Sequence, residues 1–258
     1  MKRFGFTLAE VLIALALVGI VSALTLPTLV SENRKKTQAS TLSVAVSNFE
    51  TAMRSMMAAE DVTELVDTRA WRRVADNLSS GTSEADIRRF VGDISDYIEI
   101  QSFDRSVANF YRGKTVRDIN NNNVGANNWA MSGKVVFSTN SNVVYMISTG
   151  NVQNRTITAA QALTNGINLR NTVAFITIDV NGSQQPNMFG RDIFYFELGD
   201  DGVLYPFGGR DVSFMVNQNV TSTWNNANSD YACTDAVKAR LGVGCTARLI
   251  ENGYKMDY

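Results

Sequence analysis

The sequence contains no histidine and only two cysteines, Cys233 and Cys245, in 258 residues. Without histidine the chain has no Ser-His-Asp or Cys-His catalytic arrangement, no His-ligated zinc site and no histidine pH switch. Two cysteines are too few for a four-cysteine metal site, and these two are too far apart for a C-x-x-C redox motif. The formal net charge of -1 lacks the overall positive charge of a typical nucleic-acid-binding protein. We therefore predict no nucleic-acid partner.

Charged residues are also nearly absent from a long segment close to the N-terminus. From Thr7 to Leu26 the only charged residue is Glu10, and about 20 such residues span roughly 30 Å of hydrocarbon as a helix. Glu10 stands at the start of the run, where a carboxylate can reach the headgroups or be neutralised by protonation. The segment is therefore predicted to be a transmembrane helix. Glu10 either complements the helix macrodipole or has a functional partner in the membrane.

The residues before this run form a short basic leader. Lys2 and Arg3 precede Gly5, as in the positively charged region that begins a signal peptide. No small-residue A-x-A site follows the apolar run, so we predict that ordinary signal cleavage does not remove the apolar segment.

The leader, the residues Phe6-Thr7-Leu8-Ala9-Glu10 and the apolar run that ends at Pro27 resemble the N-terminus of type IV prepilins and of the pseudopilins of type II secretion systems. The resemblance covers about the first 30 residues, ahead of a more variable head. It implies that a prepilin peptidase cuts after Gly5 and methylates the new amino group of Phe6. It also implies that Glu10 pairs with the Phe6 amine of a neighbouring subunit, because opposite charges attract strongly in a low-dielectric environment. In that role Glu10 sets the register between assembling subunits.

The resemblance also decides the predicted topology. Charge alone does not, because Lys2 and Arg3 are nearly balanced by a basic cluster at 34–36 on the other side of the apolar run. We expect a cytoplasmic N-terminus, a single pass through the inner (cytoplasmic) membrane, and an exported head that is periplasmic or part of a cell-surface filament after assembly. The predicted regions are a leader (1–5), a transmembrane and assembly helix (6–30), an amphipathic continuation of that helix (31–60) and an exported α+β head (61–258).

Apolar residues indicate that the helix continues beyond the membrane. They recur at spacings of three and four, the period of one helical face: Leu42, Val46, Phe49, Met53 and Met56. A single helix from about Phe6 to about Ala59 would be roughly 80 Å long at 1.5 Å per residue. Pro27 has no amide hydrogen to donate, so we predict a kink or a short melted turn there.

The head is predicted to be α+β. Helices are expected at 69–77 and 83–94, the second capped by Ser83 and Asp86, and a polar loop is expected at 120–123 and 127–128. Short β-branched and aromatic runs predict strands at 135–137, 143–147, 173–179, 193–198 and 203–205. Hairpin turns are indicated at Asn181-Gly182 and Asp201-Gly202. We therefore expect a C-terminal antiparallel sheet packed on the outer half of the long helix, which is a pilin-like layout.

The expected export of the head bears on the two cysteines. In an oxidising compartment Cys233 and Cys245 are predicted to form a disulfide, and disulfide-closed C-terminal loops also occur in the resembled pilins. The alternative is two unpaired, buried cysteines. The residues between them, 234–242, are predicted to form a short helix with a Thr cap and a Gly stop.

One head segment suggests a metal. Asp179, Asn181, Ser183 and Asp192 carry oxygen atoms of the kind that bind calcium, and some pseudopilins hold calcium in a head loop. The EF-hand pattern fails because its later Gly and Glu are missing. Asp and Asn are also ordinary turn formers. We predict no cofactor, with calcium at Asp179, Asn181 and Asp192 as the alternative.

These features together favour a structural subunit and not an enzyme. The predicted function is that of a minor pilin or pseudopilin of a type IV pilus or a type II secretion pseudopilus. Its expected partners are other pilin or pseudopilin subunits, the prepilin peptidase, an inner-membrane assembly platform and, before assembly, membrane lipid. The alternative is a membrane-anchored extracytoplasmic binding or catalytic domain with a prepilin-like anchor, since an anchor does not fix a function.

Overall fold

The computed structural model describes Gly5 and residues 7–72, 83–125, 128–131, 135–148, 156–157, 170–182, 184–209 and 223–258. The chain divides into two compact units, Met1–Thr37 and Gln38–Tyr258. The first unit contains the N-terminal part of a long helix. The second contains the remainder of that helix and the whole of the sheet, and we refer to it as the head.

The long helix, α1, runs from Leu8 to Ala59. Its N-terminal part is rich in Leu and Ala, which have high helix propensity. Within the head, the five apolar residues predicted to share one face of this helix are all buried. The predicted helix, with its continuation to about residue 59, is therefore confirmed. Pro27 lies inside α1 and the helix continues through it; the kink predicted there stays a prediction.

The described strands are β1 Ile100–Asp104, β2 Val135–Thr139, β3 Val144–Ser148, β4 Thr156–Ile157, β5 Arg170–Asp179, β6 Ile193–Gly199 and β7 Leu204–Pro206. They form one antiparallel sheet with the order β1-β2-β3-β5-β6-β7. The short strand β4 lies off this path and pairs with the first residues of β5. The five predicted strands and the α+β, pilin-like fold are confirmed. The connection at Asp201-Gly202 is a tight hairpin between β6 and β7, whereas Asn181-Gly182 begins a longer connection between β5 and β6.

One face of the sheet packs against the head part of α1. Phe49 of α1 stacks on Tyr145 of β3, and Tyr145 stacks on Phe137 of β2, with ring centroids 5.3 and 5.2 Å apart. The Tyr145 hydroxyl donates to the backbone carbonyl of Ala45 over 3.0 Å. Because these rings lie in one buried cluster with the apolar face of α1, the helix is fixed to the sheet by both apolar burial and a buried hydrogen bond.

Glu50 makes a second polar contact between α1 and the sheet. Its Oε1 accepts a hydrogen bond from the backbone N–H of Leu204 in the edge strand β7 over 2.9 Å. A strand edge otherwise exposes such donors to any other strand that approaches it.

The opposite face of the sheet is covered as well. A second buried cluster contains Phe175, Tyr195, Phe207 and Tyr231, of which the first two stack with centroids 5.6 Å apart. A strand buried on both faces reads as a continuous apolar run, not as an alternating one. This explains why β6 is buried at every position.

The smaller helices follow local capping rules. Helix α2 (Glu84–Ser95) begins at Ser83, whose hydroxyl accepts from the Asp86 N–H over 3.2 Å and donates to the Asp86 carboxylate over 2.7 Å. This confirms the predicted cap. Of the helix predicted at 69–77, residues 69–72 are helical and 73–77 lie outside the described residues. Helix α3 (Val107–Phe110) is a single turn. Residues 120–123 contain no helix or strand, as expected, and Asn127 lies outside the described residues.

The helix predicted at 234–242 is wrong. Thr234 does cap a turn, but both its N–H and its hydroxyl donate to the Val237 carbonyl, at 2.8 and 3.3 Å, and its hydroxyl accepts from the Val237 N–H. Cys233 then pairs with Lys238 as an isolated antiparallel bridge. The chain therefore reverses where a helix would have continued, and the helix of this region, α4 (Cys245–Glu251), starts later.

We expect Phe49→Ala to lower the free energy of unfolding by about 3 to 5 kcal/mol, because it removes a fully buried ring and leaves a cavity against Tyr145. The measurement is thermal or urea unfolding of the full chain in detergent, followed by near-ultraviolet circular dichroism. Val44→Ala is the matched control on the same helix, since the Val44 side chain is 56% exposed, and it should change stability by less than about 0.5 kcal/mol. Equal losses in the two variants would contradict the packing described here.

Candidate functional site

Glu10 is hydrogen-bonded to Thr7 in a reciprocal arrangement at the start of α1. Its Oε2 accepts from the backbone N–H and from the hydroxyl of Thr7, both over 2.8 Å, and the Glu10 N–H donates to Thr7 Oγ1 over 3.2 Å. This is a capping box, in which two residues three positions apart satisfy each other's backbone N–H groups. The segment Thr7-Leu8-Ala9-Glu10 carries the S/T-x-x-E signature of this motif, a signal that the macrodipole and membrane-partner interpretations of Glu10 do not use.

The capping box orients the Glu10 carboxylate and leaves some of its hydrogen-bond acceptor sites unused. Both Thr7 donors reach a single oxygen, and an ionised carboxylate offers about four acceptor sites on its two oxygens. A further donor can therefore bind the same group. Close by, Gly5 is exposed, and no atom of the other described residues lies within 4 Å of the position that a Cβ would occupy there. Phe6, the predicted methylation site, lies outside the described residues.

The N-terminal part of α1 presents apolar side chains all round. Its large apolar residues, from Leu8 to Val30, are between 43% and 78% exposed. Among the described residues, α1 is the one helix that is long and apolar enough to cross a membrane, and none of its most apolar stretch is buried. A helix that is apolar on every side needs either lipid or other helices around it.

The apolar N-terminal segment also matches a known family of motifs. A model of the prokaryotic N-terminal methylation motif matches residues 1–26. The chain carries the type IV prepilin and pseudopilin signature. No curated protein and no solved structure matches the chain. This signature is typical of membrane-anchored structural subunits that a peptidase processes and that assemble with other pilin subunits.

In the C-terminal region of the head, Cys233 and Cys245 form a disulfide with their Cα atoms 5.1 Å apart. The predicted bridge is confirmed. It joins the reverse turn after Cys233 to the first residue of α4. The next residue of α4, Thr246, accepts a hydrogen bond from the Tyr195 N–H of β6 over 3.1 Å. The disulfide therefore ties the C-terminal turn to a helix that is itself anchored on the sheet.

Arg248 of α4 reinforces this closure, and sequence patterns did not single it out. Its guanidinium donates to the carbonyl of Cys233 over 2.8 Å, to Asp235 over 2.6 Å and to Asp257 over 3.0 Å. It also lies 5.3 Å from the ring centroid of Tyr258. The three polar partners surround one fork of donors, which a lysine ammonium could not match. They come from different parts of the C-terminal region, so no short motif could have indicated them.

The three residues of the calcium alternative lie together in the head. Asp179 and Asp192 are both fully buried. Asp179 accepts from the Tyr111 hydroxyl over 2.5 Å and from the Asn181 N–H over 3.1 Å, while Asp192 accepts from the Met188 N–H over 2.5 Å. Two oxygens in this cluster, Asp192 Oδ2 and Asn181 Oδ1, have no hydrogen-bond partner within the described parts of the chain. Ser183, the fourth residue of the predicted set, lies outside the described residues.

Burial makes this pair of carboxyl groups hold protons unusually tightly. It raises the pKa of Asp179 well above its ordinary value, and repulsion from Asp192 raises it further against the hydrogen bond from Tyr111. Burial also raises the pKa of Asp192 to about 6, although hydrogen bonds from the Met188 N–H and the Asn181 side chain oppose the shift. Two buried acids side by side favour a bound proton or a bound cation, because both neutralise charge that water cannot reach.

The oxygen atoms of the described cluster reach only the lower end of what calcium takes. Calcium binds six to eight oxygen ligands, and the two carboxylates, the Tyr111 hydroxyl and the Asn181 amide oxygen supply six, of which the Tyr111 hydroxyl and one Asp179 oxygen are already bonded to each other. Among the described residues, no group of three or more His, Cys, Asp or Glu side chains comes together as a metal site. Calcium at Asp179, Asn181 and Asp192 stays a prediction, and a proton held by the acidic pair explains the same geometry.

We expect the free energy of unfolding to fall as the pH rises from about 4 to about 6. The folded chain keeps the Asp192 proton up to about pH 6, whereas the unfolded chain releases it near pH 4, so the unfolded state binds fewer protons in this window and gains stability with pH. Asp192→Asn should reduce the slope of the profile in this window, and the slope that remains is due to Asp179, whose pKa is also raised. The measurement is thermal unfolding of the full chain in detergent across that range, with and without calcium.

The exposed Glu64 supplies a control for this experiment, because its side chain makes no capping hydrogen bond. Glu64→Gln should leave the pH profile as in the parent. A profile for Asp192→Asn that keeps the parental slope would contradict proton storage by the pair. If calcium raises the melting temperature of the parent and not of Asp192→Asn, the cluster is a cation site.

Proposed function

We propose that the chain is a minor pilin or pseudopilin, a structural subunit of a type IV pilus or a type II secretion pseudopilus. The single observation that carries this proposal is the methylation motif at residues 1–26, on a helix whose apolar residues are exposed on all sides. Before assembly, the subunit is held in the inner membrane with its N-terminus in the cytoplasm and its head exported. A prepilin peptidase cuts after Gly5 and methylates the amine of Phe6.

The proposed regions of the chain correspond to the steps of membrane insertion, processing and assembly. Residues 1–5 are the leader, residues 6–30 are the transmembrane and assembly helix, residues 31–60 continue the helix, and residues 61–258 complete the exported head. The burial pattern supports such a division of the helix, since the buried residues of α1 begin at Ala39. Long connections in the head, such as residues 180–192 between β5 and β6, favour a specialised subunit over a bulk one.

Assembly exchanges lipid for neighbouring helices around the N-terminal part of α1. This exchange brings no large hydrophobic gain, because lipid tails are as apolar as leucine. Packing and polar pairing must therefore supply the specificity. We propose that an assembly platform in the inner membrane extracts the subunit, and that Glu10 then accepts the Phe6 amine of a neighbouring subunit. The Thr7 bonds support this role, because they hold the Glu10 carboxylate in place while leaving acceptor capacity.

Processing gives the first prediction of the proposed function. In membranes that contain an active prepilin peptidase, we expect the mature chain to begin at Phe6 and to be heavier by one methyl group than the unmodified chain. Intact mass and N-terminal sequencing measure both. Gly5 has no side chain to obstruct the active site of the peptidase, so Gly5→Leu should leave the chain uncut. A parental chain that keeps its leader beside an active peptidase would mean a fixed membrane anchor.

Glu10 gives the second prediction, and the capping box shows how to separate its two roles. Glu10→Gln keeps a capping side chain, since Gln serves in a capping box as well as Glu, but it removes the charge. We expect this variant to be processed normally and to lose most of its entry into filaments, because an unpaired amine would then be buried. Filament content is measured by shearing and immunoblotting.

Glu32→Gln is the matched control, because Glu32 lies on the same helix and pairs only with Lys35 of its own chain in the described structure. It should assemble like the parent. If Glu10→Gln also assembles at the parental rate, Glu10 acts as a helix cap and not as a partner for Phe6.

A further inference from the structure

A groove in the head lies beside the contact between α1 and the sheet. It has a volume of about 1080 Å³ and lies between α1, the connection from α2 to β1, and the turn from β2 to β3. Its apolar surface includes Val44, Ala45, Phe49 and Tyr145. Val44 is 56% exposed, although the other large apolar residues of α1 within the head are buried. Val44 therefore offers an apolar contact surface inside the groove, and the charges beside it decide which kind of occupant fits.

The charged residues of the groove have one sign. Asp96 and Glu99 are its only charged lining residues, and both are exposed. The Glu99 carboxylate accepts from the Asn140 amide over 2.9 Å, and neither acid is in an ion pair within the described parts of the chain. An occupant with positive charge is therefore favoured over a nucleic acid, an anionic lipid headgroup or an acidic peptide.

The chain carries a segment with the complementary chemistry, Arg34-Lys35-Lys36 of α1. Arg34 and Lys36 are exposed, whereas Lys35 pairs with Glu32 over 3.2 Å. Long basic side chains lay their aliphatic stems along apolar surface and extend their charged ends toward acids. A groove that contains the exposed Val44 and two exposed carboxylates, Asp96 and Glu99, offers a surface to both parts of such a side chain.

Filament geometry gives a second reason for this match. An open filament needs a heterologous contact, in which one surface of a subunit binds a different surface of the next. If Glu10 of one copy lies level with Phe6 of its neighbour, two parallel α1 helices are offset by about 6 Å, or four residues at 1.5 Å each. Residues 34–36 of the neighbour then lie level with residues 38–40, and Ser40 is the first residue of the groove.

We propose that the groove is a subunit interface that receives the basic segment 34–36 of a neighbouring copy of this chain. Val44 and the groove floor cover the aliphatic stems, and Asp96 and Glu99 pair with Arg34 and Lys36. The inference rests on the proposed function, because it needs parallel copies of the chain in one assembly. It adds a polar contact outside the membrane to the pairing of Glu10 with Phe6.

Crosslinking tests the contact directly in the full chain. Lys36→Cys combined with Glu99→Cys places one new thiol on each surface, and the native cysteines are already paired. A short bismaleimide added to filaments should give a ladder of covalent multimers, since each copy would join two neighbours. The control combines Lys36→Cys with Glu84→Cys, an exposed acid of α2 that is not in the groove, and it should give no ladder.

Charge reversal tests the pairing. Asp96→Lys with Glu99→Lys should reduce filament content about tenfold or more, as should Arg34→Glu with Lys36→Glu, because like charges facing each other across an interface repel. The four substitutions combined in one chain should restore most of the parental content. Cleavage at Gly5 and melting temperature are measured in every variant, so that a defect in processing or folding is seen separately.

The outcomes separate this inference from the proposed function. Parental filaments without the ladder, or with only an intramolecular crosslink, would overturn the groove contact and leave the proposed function intact. Charge-reversed variants that assemble normally would do the same. A parental chain that is never processed or assembled would overturn the proposed function, and the groove contact with it.

Discussion

The burial of one face of α1 against the antiparallel sheet is the interaction on which the rest of the head depends. The face from Ala39 to Met57 supplies a large part of the first core cluster. Phe49 stacks on Tyr145, and the Tyr145 hydroxyl holds the Ala45 carbonyl of the same helix. The helix thus acts as one layer of the domain, and neither it nor the sheet could bury its apolar surface alone.

The two parts of the same helix are suited to different surroundings, the first to lipid or other helices and the second to the head. Its N-terminal part is apolar on every side and has no buried residue before Ala39, whereas its later part is apolar on one face only. Since α1 runs from Leu8 to Ala59 as one helix, the apolar segment that fits a membrane and the segment that packs in the head belong to the same element. The capping box between Thr7 and Glu10 fixes where this helix starts, which matters because the proposed pairing with Phe6 would depend on the position of one carboxylate.

Most of the fold was predictable because its signals are local. Apolar spacing gave the buried face of α1, β-branched runs gave five strands, and Ser83 with Asp86 gave the start of α2. Strand β1 was missed because its sequence, Ile100–Asp104, is half polar and only partly buried. The helix expected after Cys233 was wrong because the Thr234 side chain and backbone close a reverse turn with Val237.

In the candidate sites, too, only the features that depend on residues close together in the sequence could be predicted. The methylation motif and the cysteines stand out in the sequence, but the partners of Arg248 and the bond from Tyr111 to Asp179 do not. Tyr111 and Asp179 are 68 residues apart in the chain and meet only because the sheet folds. Such contacts have no short-range pattern, so the raised pKa of Asp179 could be inferred only from its burial in the folded head.

The contact between Glu50 and the N–H of Leu204 has a consequence for a protein that is stored at high local density. Heads held side by side at a membrane surface meet often, and an open strand edge on each would let sheets join edge to edge into disordered aggregates. The Glu50 carboxylate occupies that donor from within the subunit. The helix that packs on one face of the sheet therefore also closes one donor of the β7 edge, and so makes that edge a poorer template for a strand of another copy.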